Sequence, residues 1–101
     1  MNFPNLFSSG SIGECSLKNR IIMPLFPTKY ATESKVNPKI LEFYRVRAQG
    51  GVALIVLDCP CLDYPGAYKG PNELRFDLEE YVSGLAELID VIHSEGSKAF
   101  T

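Results

Sequence analysis

Two cysteines separated by one proline are the residues whose type and spacing most directly suggest chemistry. They form the run Cys59-Pro60-Cys61, which directly follows the acidic residue Asp58. Thiolates bind zinc, but paired cysteine ligands usually have two or more residues between them, whereas here there is one. The sequence therefore predicts no metal site. The third cysteine, Cys15, lies in the lead-in and is expected to be inert. An odd cysteine count in a chain without an export signal favours reduced thiols in the cytoplasm.

Several other polar side chains have a chemical and a structural interpretation, and the sequence leaves both open. Asp58 either orients neighbouring loops or is a solvated carboxylate at a strand end. Tyr30 and Tyr64 lie in predicted loops and either face a substrate or pack on the surface. Lys29 either attracts an anionic substrate or is simply solvated. His93 lies near the end of a predicted helix, where a structural role is the expected one.

The composition is that of an ordinary globular protein and excludes several function classes. The chain has 101 residues, of which 46% are hydrophobic and 22% charged, with a net charge of −2. The nearly balanced charge gives no reason to expect nucleic acid or a membrane as partner. Val52–Leu57 is far shorter than the roughly 20 apolar residues of a membrane helix. The N-terminal residues do not resemble a signal peptide, and we expect a cytoplasmic protein.

The elements that must position these side chains alternate between strands and helices. Asn37 and Pro38 are typical of a helix start, and Gly50-Gly51 and Gly96 of helix ends. The predicted strands are Arg20–Met23, Val52–Leu57 and Lys98–Phe100, and the predicted helices are Pro38–Gln49 and Tyr81–Glu95.

This β-α-β-α-β order predicts an α/β fold with parallel strands and helical crossovers. Three strands and two helices cannot cover both faces of a sheet, and the third strand has no helix after it. We therefore expect the N-terminal portion of a larger barrel, with a small three-stranded domain as the alternative.

The sequence resembles the old yellow enzyme family of flavin-dependent oxidoreductases on three ordered runs of residues. Leu17–Pro24 looks like the first-strand motif of that family, and Phe43–Val52 resembles its first helix and second strand. Leu85–Lys98 is similar to the second helix and third strand. The most similar branch contains dienoyl-CoA and enoate reductases, and Thr28–Ala31 takes the place of an Asn-Tyr-Ala-like stretch there. The resemblance covers essentially the whole chain.

The resemblance implies a (β/α)8 TIM barrel, of which residues 1–101 are the N-terminal part of a single FMN-binding domain. Residues 1–18 would form a lead-in hairpin that plugs the N-terminal end of the barrel, and residues 19–101 the first barrel units. FMN would lie at the C-terminal mouth, be reduced by NADH or NADPH, and pass hydride to an electron-poor alkene or related acceptor.

By matching position, the implied cofactor-binding residues are Pro24, Leu25, Phe26, Pro27 and Cys59. The two prolines fix φ and make the segment rigid. Phe26 either packs on the flavin or is a buried core aromatic. Many relatives have a threonine, glycine or cysteine where Pro27 stands. Because proline has no N–H, Pro27 can offer a flavin only its carbonyl.

The catalytic residues are expected beyond residue 101. The resemblance puts a glutamine just past Thr101 and a histidine-rich loop, a proton donor and the flavin phosphate site further on. Iron–sulfur cysteines, if the protein has them, would also lie in that later part. The implied partner is a small unsaturated substrate, and a homo-oligomer stays open. The alternative function is a non-catalytic half-barrel that binds a partner or itself through its open sheet edge. A barrel enzyme without flavin is a third alternative.

Overall fold

A sheet of three short parallel strands positions the site. The computed structural model describes residues 2–58 and 60–101. Its strands are β1 (Gly10–Ile12), β2 (Cys15–Leu17), β3 (Ile22–Met23), β4 (Leu54–Val56) and β5 (Lys98–Phe100), and its helices are α1 (Pro38–Gln49) and α2 (Val82–Ser94). Strands β3, β4 and β5 pair in parallel and in sequence order, while β1 and β2 form a separate antiparallel hairpin. The predicted β-α-β-α-β order and the lead-in hairpin are confirmed.

Helix α1 begins and ends where the sequence predicts. Asn37 is extended and its side-chain oxygen accepts a hydrogen bond from the N–H of Ile40 at 3.0 Å, while Pro38 occupies the first turn. At the other end Gly51 has φ of 109°, a conformation that glycine adopts without a steric penalty. Helix α2 is slightly shorter than predicted, because residues Glu79–Tyr81 form a 3₁₀ turn that leads into it.

The paired strands are shorter than the predicted ones. Of Val52–Leu57, only Leu54–Val56 pair as β4, and Arg20–Met23 shortens to Ile22–Met23. An apolar run indicates which residues are buried, and buried residues continue past the end of strand pairing. Leu57, for example, is fully buried although it lies outside β4. Single backbone hydrogen bonds continue past the strand ends, as from Leu57 to Phe100 at 2.8 Å.

The core lies between one face of the sheet and the two helices. Ile55 and Leu57 point to this face and are fully buried with residues of both helices. The residues of α1 and α2 in this core that are fully buried are Ile40, Tyr44, Ala48, Leu88 and Ile92. Burying one leucine or isoleucine side chain stabilises the fold by about 1.5–3 kcal/mol.

The opposite face of the sheet is covered only at its amino end. There Leu17 of the hairpin packs with Ala53 and Leu54 in a second, smaller core. Side chains alternate along a strand, so Ile22 and Phe100 share this face with Leu54, and they are 43% and 40% exposed. The two helices therefore leave one sheet face largely open, as the sequence predicts.

Candidate functional site

The loops that follow the three parallel strands meet at one edge of the sheet. Residues 24–37 follow β3 and residues 57–78 follow β4, while Thr101 follows β5. In open and closed parallel sheets, ligands bind at this carboxyl edge because the loops that follow the strands converge there. Four of the site residues predicted from the sequence, Pro24, Leu25, Phe26 and Pro27, fall in the first of these loops.

A buried carboxylate ties these loops together. Asp58 is 1% exposed, and its Oδ2 accepts hydrogen bonds from the Thr28 hydroxyl at 2.8 Å and the Thr28 N–H at 3.3 Å. Its Oδ1 accepts a hydrogen bond from the Tyr44 hydroxyl, and its own N–H donates to that hydroxyl oxygen at 3.1 Å. We call these three residues the Asp58 network. An ionised carboxyl group only accepts hydrogen bonds, which matches the three donors that surround it.

The Asp58 network joins three elements through one residue. Thr28 lies in the loop after β3, Tyr44 is the fully buried middle of α1, and Asp58 follows β4. Burial, together with the hydrogen bond to Asp58, raises the pKa of Tyr44 well above the ordinary tyrosine value. Of the two interpretations of Asp58, the one in which it orients loops is correct. A solvated carboxylate is wrong, because Thr28 and α1 cover the side chain.

The segment after β3 has exposed side chains and is anchored at Thr28 by the buried Asp58. Leu25 and Phe26 are 48% and 56% exposed, and the two prolines that flank them are also exposed. Among residues 2–58 and 60–101, neither the Leu25 nor the Phe26 N–H has a hydrogen-bond acceptor. The next residue, Thr28, is buried by its bonds to Asp58. An exposed apolar segment, restricted by its two prolines, therefore lies at the carboxyl edge, with two backbone N–H groups that have no acceptor among the residues the structure describes.

Phe26 is not the buried core aromatic that the sequence left as an alternative. Its ring stacks on Phe43 of α1, with centroids 6.4 Å apart and an interplanar angle of 15°. Tyr30 packs edge-on against the same Phe43 ring at 5.7 Å. An open, largely apolar groove of about 460 Å³ lies here between the segment and α1, and Met23, Pro24 and Arg47 complete its lining. Tyr30 thus packs in this groove, half-buried.

The long loop after β4 is pinned to the loop after β3 by backbone hydrogen bonds. The Ser34 N–H donates to the Pro71 carbonyl at 2.7 Å, and the Arg75 N–H donates to the Ser34 carbonyl at 3.1 Å. Ser34 is buried and has a φ of 61°, and its neighbour Glu33 has a φ of 52°. Non-glycine residues adopt this left-handed conformation only where surrounding contacts impose it. The two loops therefore form one connected surface.

Arg75 organises the outer part of that surface. Its guanidinium group binds Asp77 in a bidentate pair at 2.9 and 2.6 Å, which holds the pKa of Asp77 below its ordinary value. The guanidinium carbon also lies 4.1 Å from the ring centre of Tyr64 and 5.0 Å from that of Tyr81. Tyr64 remains 51% exposed and packs against Tyr68 at 5.0 Å. Of the two interpretations of Tyr64, packing within this cluster is the one that its contacts support.

The structure also places the remaining candidate residues, Lys29, His93 and Cys61. Lys29 is exposed with a φ of 58°, and His93 is exposed in the last turn of α2. Cys61 is buried and its thiol contacts the Asp63 carbonyl at 3.5 Å. Cys59 lies outside the described residues, so its predicted approach to a flavin stays a prediction. Within the described ranges, no three acidic, histidine or cysteine side chains come together as metal ligands would.

Tyr44 and Thr28 are the site residues that the sequence did not single out. Tyr44 lies on the buried face of α1 with Ile40 and Ala48. A tyrosine hydroxyl that is buried requires a hydrogen-bond partner, so a tyrosine in the middle of an apolar helix face was the available signal.

Neither helix in the described part of the chain has the length and apolar character required to cross a membrane.

Comparison with known proteins connects this geometry to a family. Residues 5–101 match the NADH:flavin oxidoreductase / NADH oxidase family. An NADH oxidase from Thermoanaerobacter brockii is 42% identical over 100 residues, which are 98% of this chain and 15% of the oxidase. A metal reductase from Desulforamulus reducens is 40% identical over 93 residues, which are 92% of this chain and 14% of the reductase. The chain thus spans about one seventh of the length of these relatives.

Solved structures share the fold over nearly the whole chain. A 2-naphthoyl-CoA reductase in complex with 2-naphthoyl-CoA superposes with a TM-score of 0.86 at 26% identity, over 94% of this chain and 14% of that one. The old yellow enzyme from Trypanosoma cruzi superposes with a TM-score of 0.84 at 26% identity, over 99% of this chain and 26% of that one. Both the resemblance to old yellow enzymes and the predicted fold, the N-terminal portion of a TIM barrel, are confirmed. The chain belongs to the NADH:flavin oxidoreductase / NADH oxidase family.

Proposed function

We propose that the whole protein is an FMN-dependent oxidoreductase that accepts hydride from NADH or NADPH and delivers it to an electron-poor alkene or a related acceptor. Family membership supports the flavin and the nicotinamide reductant. The bound acyl thioester of the structurally similar 2-naphthoyl-CoA reductase supports an unsaturated small molecule as acceptor. The names of the two relatives show that acceptors differ within the family, so the class of acceptor is the finer part of the proposal.

The carboxyl-edge segment carries this proposal. Pro24, Leu25, Phe26 and Pro27 give an exposed, conformationally restricted and mostly apolar ledge, which suits the approach of a flat aromatic ring. The N–H groups of Leu25 and Phe26, which donate to no acceptor within residues 2–58 and 60–101, suit the polar edge of an isoalloxazine, which carries carbonyl and nitrogen acceptors. The residues present therefore fit FMN. When bound, FMN supplies the hydride chemistry, and this part of the protein supplies orientation and electrostatics.

Each of these residues has a distinct role in the proposed site. Leu25 contributes apolar surface and a backbone donor, and Pro27 contributes only a carbonyl. The side chain of Phe26 stacks on Phe43, so we propose that Phe26 contacts the flavin mainly through its backbone. Cys59 directly follows the buried Asp58 and is proposed to approach the ring from β4. The groups that donate protons and bind the flavin phosphate are proposed to lie beyond residue 101.

The proposal has a direct test in the colour of the protein. The whole protein, purified from a bacterial cytoplasm, should be yellow and release FMN on denaturation. NADH or NADPH should bleach the flavin, and an α,β-unsaturated carbonyl compound should restore its absorbance under anaerobic conditions. A folded, colourless preparation that gains no flavin absorbance from added FMN would contradict the proposal that FMN is the cofactor. Reoxidation by dioxygen or ferric ion, without reaction with the alkene, would contradict the proposal that the acceptor is an electron-poor alkene.

The same experiment separates the alternative function from the proposed one. Both outer strands of the sheet, β3 and β5, have an edge that pairs with no strand among the described residues. Such edges also suit a non-catalytic module that binds a partner by strand addition. That interpretation predicts no flavin in the whole protein, whereas family membership favours the enzyme. The 101-residue chain alone should bind FMN poorly on either account.

A further inference from the structure

The Asp58 network contains a buried charged group that the proposed hydride chemistry does not itself use. Asp58, Tyr44 and Thr28 are all buried, and each polar atom of their side chains is hydrogen-bonded. A buried carboxylate is expensive to desolvate, and hydrophobic residues of similar volume are often as stabilising. Its presence directly beneath the exposed segment 24–27 therefore calls for a function other than stability.

The contact with Thr28 sets the orientation of one peptide plane. The Thr28 N–H points at Asp58 Oδ2, and its hydroxyl reinforces the contact at 2.8 Å. The bond between Pro27 and Thr28 is trans, since the one cis peptide bond among the described residues precedes Pro65. In a trans peptide the N–H and the C=O point in opposite directions. The Pro27 carbonyl is therefore directed away from the buried carboxylate.

The contact with Tyr44 connects this peptide plane to the helix layer. Tyr44 is 0% exposed on α1 and binds both the carboxylate and the N–H of Asp58. The Thr28 hydroxyl in turn accepts a hydrogen bond from the Tyr30 N–H at 3.3 Å. The peptide before Thr28 is thus held by Asp58, directly after β4, and through it by Tyr44 of α1, and not by its own loop alone.

We infer that Asp58 is a positioning residue for the proposed flavin site: through Thr28 it holds the Pro27 carbonyl at the carboxyl edge as a hydrogen-bond acceptor. This inference rests on the proposed function. Reduction of a flavin adds an N–H donor to its ring, so a fixed acceptor carbonyl favours the reduced form. A loosened carbonyl should therefore weaken the binding of reduced FMN more than that of oxidised FMN, and so lower the reduction potential of the bound flavin.

Thr28→Val in the FMN-loaded whole protein is the variant that tests this most cleanly. Valine has nearly the same shape as threonine, and the change leaves the charge of Asp58 in place. Asp58→Asn removes a negative charge, which alone would raise the potential and obscure the effect. We expect Thr28→Val to weaken the binding of reduced FMN about threefold to tenfold, the range that one hydrogen bond contributes. A tenfold lower ratio of affinities for reduced and oxidised flavin corresponds to a potential lower by about 30 mV.

Two controls separate positioning from general stability. Thr28→Ser keeps both hydrogen bonds and should restore the affinity and the potential of the wild type. Ser97→Ala removes a similarly buried hydroxyl, whose bond to the Val52 carbonyl lies at the opposite end of the strands. It should lower thermal stability while leaving FMN affinity within twofold and the potential unchanged.

The outcomes distinguish this inference from the proposed function. If the wild-type protein binds no FMN, the proposed function fails and the inference with it. If the wild type binds FMN but Thr28→Val changes affinity and potential no more than Ser97→Ala does, only the positioning role is overturned. Should Thr28→Val not fold, Tyr44→Phe is measured in its place against the same control, with the same expected decreases in affinity and potential.

Discussion

At the amino ends of the strands, neutral side chains bind backbone groups, whereas at the carboxyl ends one carboxylate binds two other side chains. Asn19 donates to the Gly51 carbonyl at 2.7 Å, and Ser97 donates to the Val52 carbonyl. At the carboxyl end, Asp58 binds Thr28 and Tyr44 at once. At the amino end, the hydrogen bonds that Asn19 and Ser97 donate share no residue, so that losing one leaves the other in place. The carboxyl end depends on one residue that fixes three elements.

This difference matches the division of labour expected of a barrel. In TIM-barrel enzymes the N-terminal face contributes stability and the C-terminal face carries the chemistry. Here the amino end is covered by the hairpin through Leu17, while the carboxyl end exposes Leu25 and Phe26 above a buried support. A site held by side chains that are themselves locked by packing is preorganised for its ligand. The comparison therefore predicts that equal changes at the two ends have unequal consequences.

Removing the central carboxylate should have the largest effect. Asp58→Ala leaves the hydroxyls of Tyr44 and Thr28 buried without their acceptor, and each unsatisfied group costs about 1–3 kcal/mol. We expect the free energy of unfolding to fall by about 3 kcal/mol or more, as measured by urea denaturation. Ser97→Ala, at the amino end, should cost about 1 kcal/mol. Equal losses at both ends would break the comparison.

Removing the tyrosine hydroxyl should have a smaller effect that depends on pH. Tyr44→Phe should cost about 1–3 kcal/mol at neutral pH, because the N–H and Oδ1 of Asp58 lose their partner. The pKa of Tyr44 is raised in the folded protein, so above pH 10 the unfolded chain releases this proton while the folded protein retains it. The stabilisation is therefore present in full below pH 10 and is lost as the pH rises beyond it.

This pH dependence is measured as the difference in the free energy of unfolding between the wild type and Tyr44→Phe. The stability advantage of wild type over Tyr44→Phe should be constant from pH 7 to 9 and shrink between about pH 10 and 12. Urea denaturation at stepped pH measures both curves. An advantage that stays constant up to pH 12 would mean that the hydroxyl is not held in its protonated form by Asp58.

Changing Pro27 should have the smallest effect on stability and a specific effect on the flavin. Pro27→Thr adds an N–H and a hydroxyl beside the proposed ring, and one charge-assisted hydrogen bond to the reduced flavin is worth about 1.5–3 kcal/mol. For a two-electron couple, about 1.4 kcal/mol corresponds to roughly 30 mV, so the potential should rise by a few tens of millivolts. Stability should change by less than about 1 kcal/mol, since a loop proline mainly restrains the unfolded chain. An unchanged potential with flavin bound would mean that position 27 does not face the ring.

The sequence predicted elements whose signals are local and missed contacts between distant residues. The bounds of helix α1 agree with the prediction because Asn37 and Pro38 mark its start and Gly50-Gly51 its end, all within or directly beside the helix. Strand β4 was predicted too long because a buried apolar run does not show where pairing stops. The environment of Asp58 could not be decided, since its partners Tyr44 and Thr28 lie 14 and 30 residues away along the chain. A carboxylate next to a strand looks the same in sequence whether it is solvated or buried.

The loop after β4 shows the same limit. Its proline and glycine content is typical of a loop, but composition does not reveal the cluster of Arg75 with Asp77 and the tyrosines around it. Nor could it indicate that Ser34, on the other loop, adopts a left-handed conformation to meet Arg75. Such contacts arise only when two loops are brought together by parallel strands.

Amide hydrogen exchange of the whole protein with and without FMN tests the central claim most directly, because it observes both ends of the sheet at once. The claim is that the carboxyl edge holds the flavin and the amino end does not. Addition of FMN should slow exchange at Leu25, Phe26 and residues 28–31, and should leave the hairpin residues 10–17 unchanged. Protection of the hairpin, or equal protection at both ends, would contradict it.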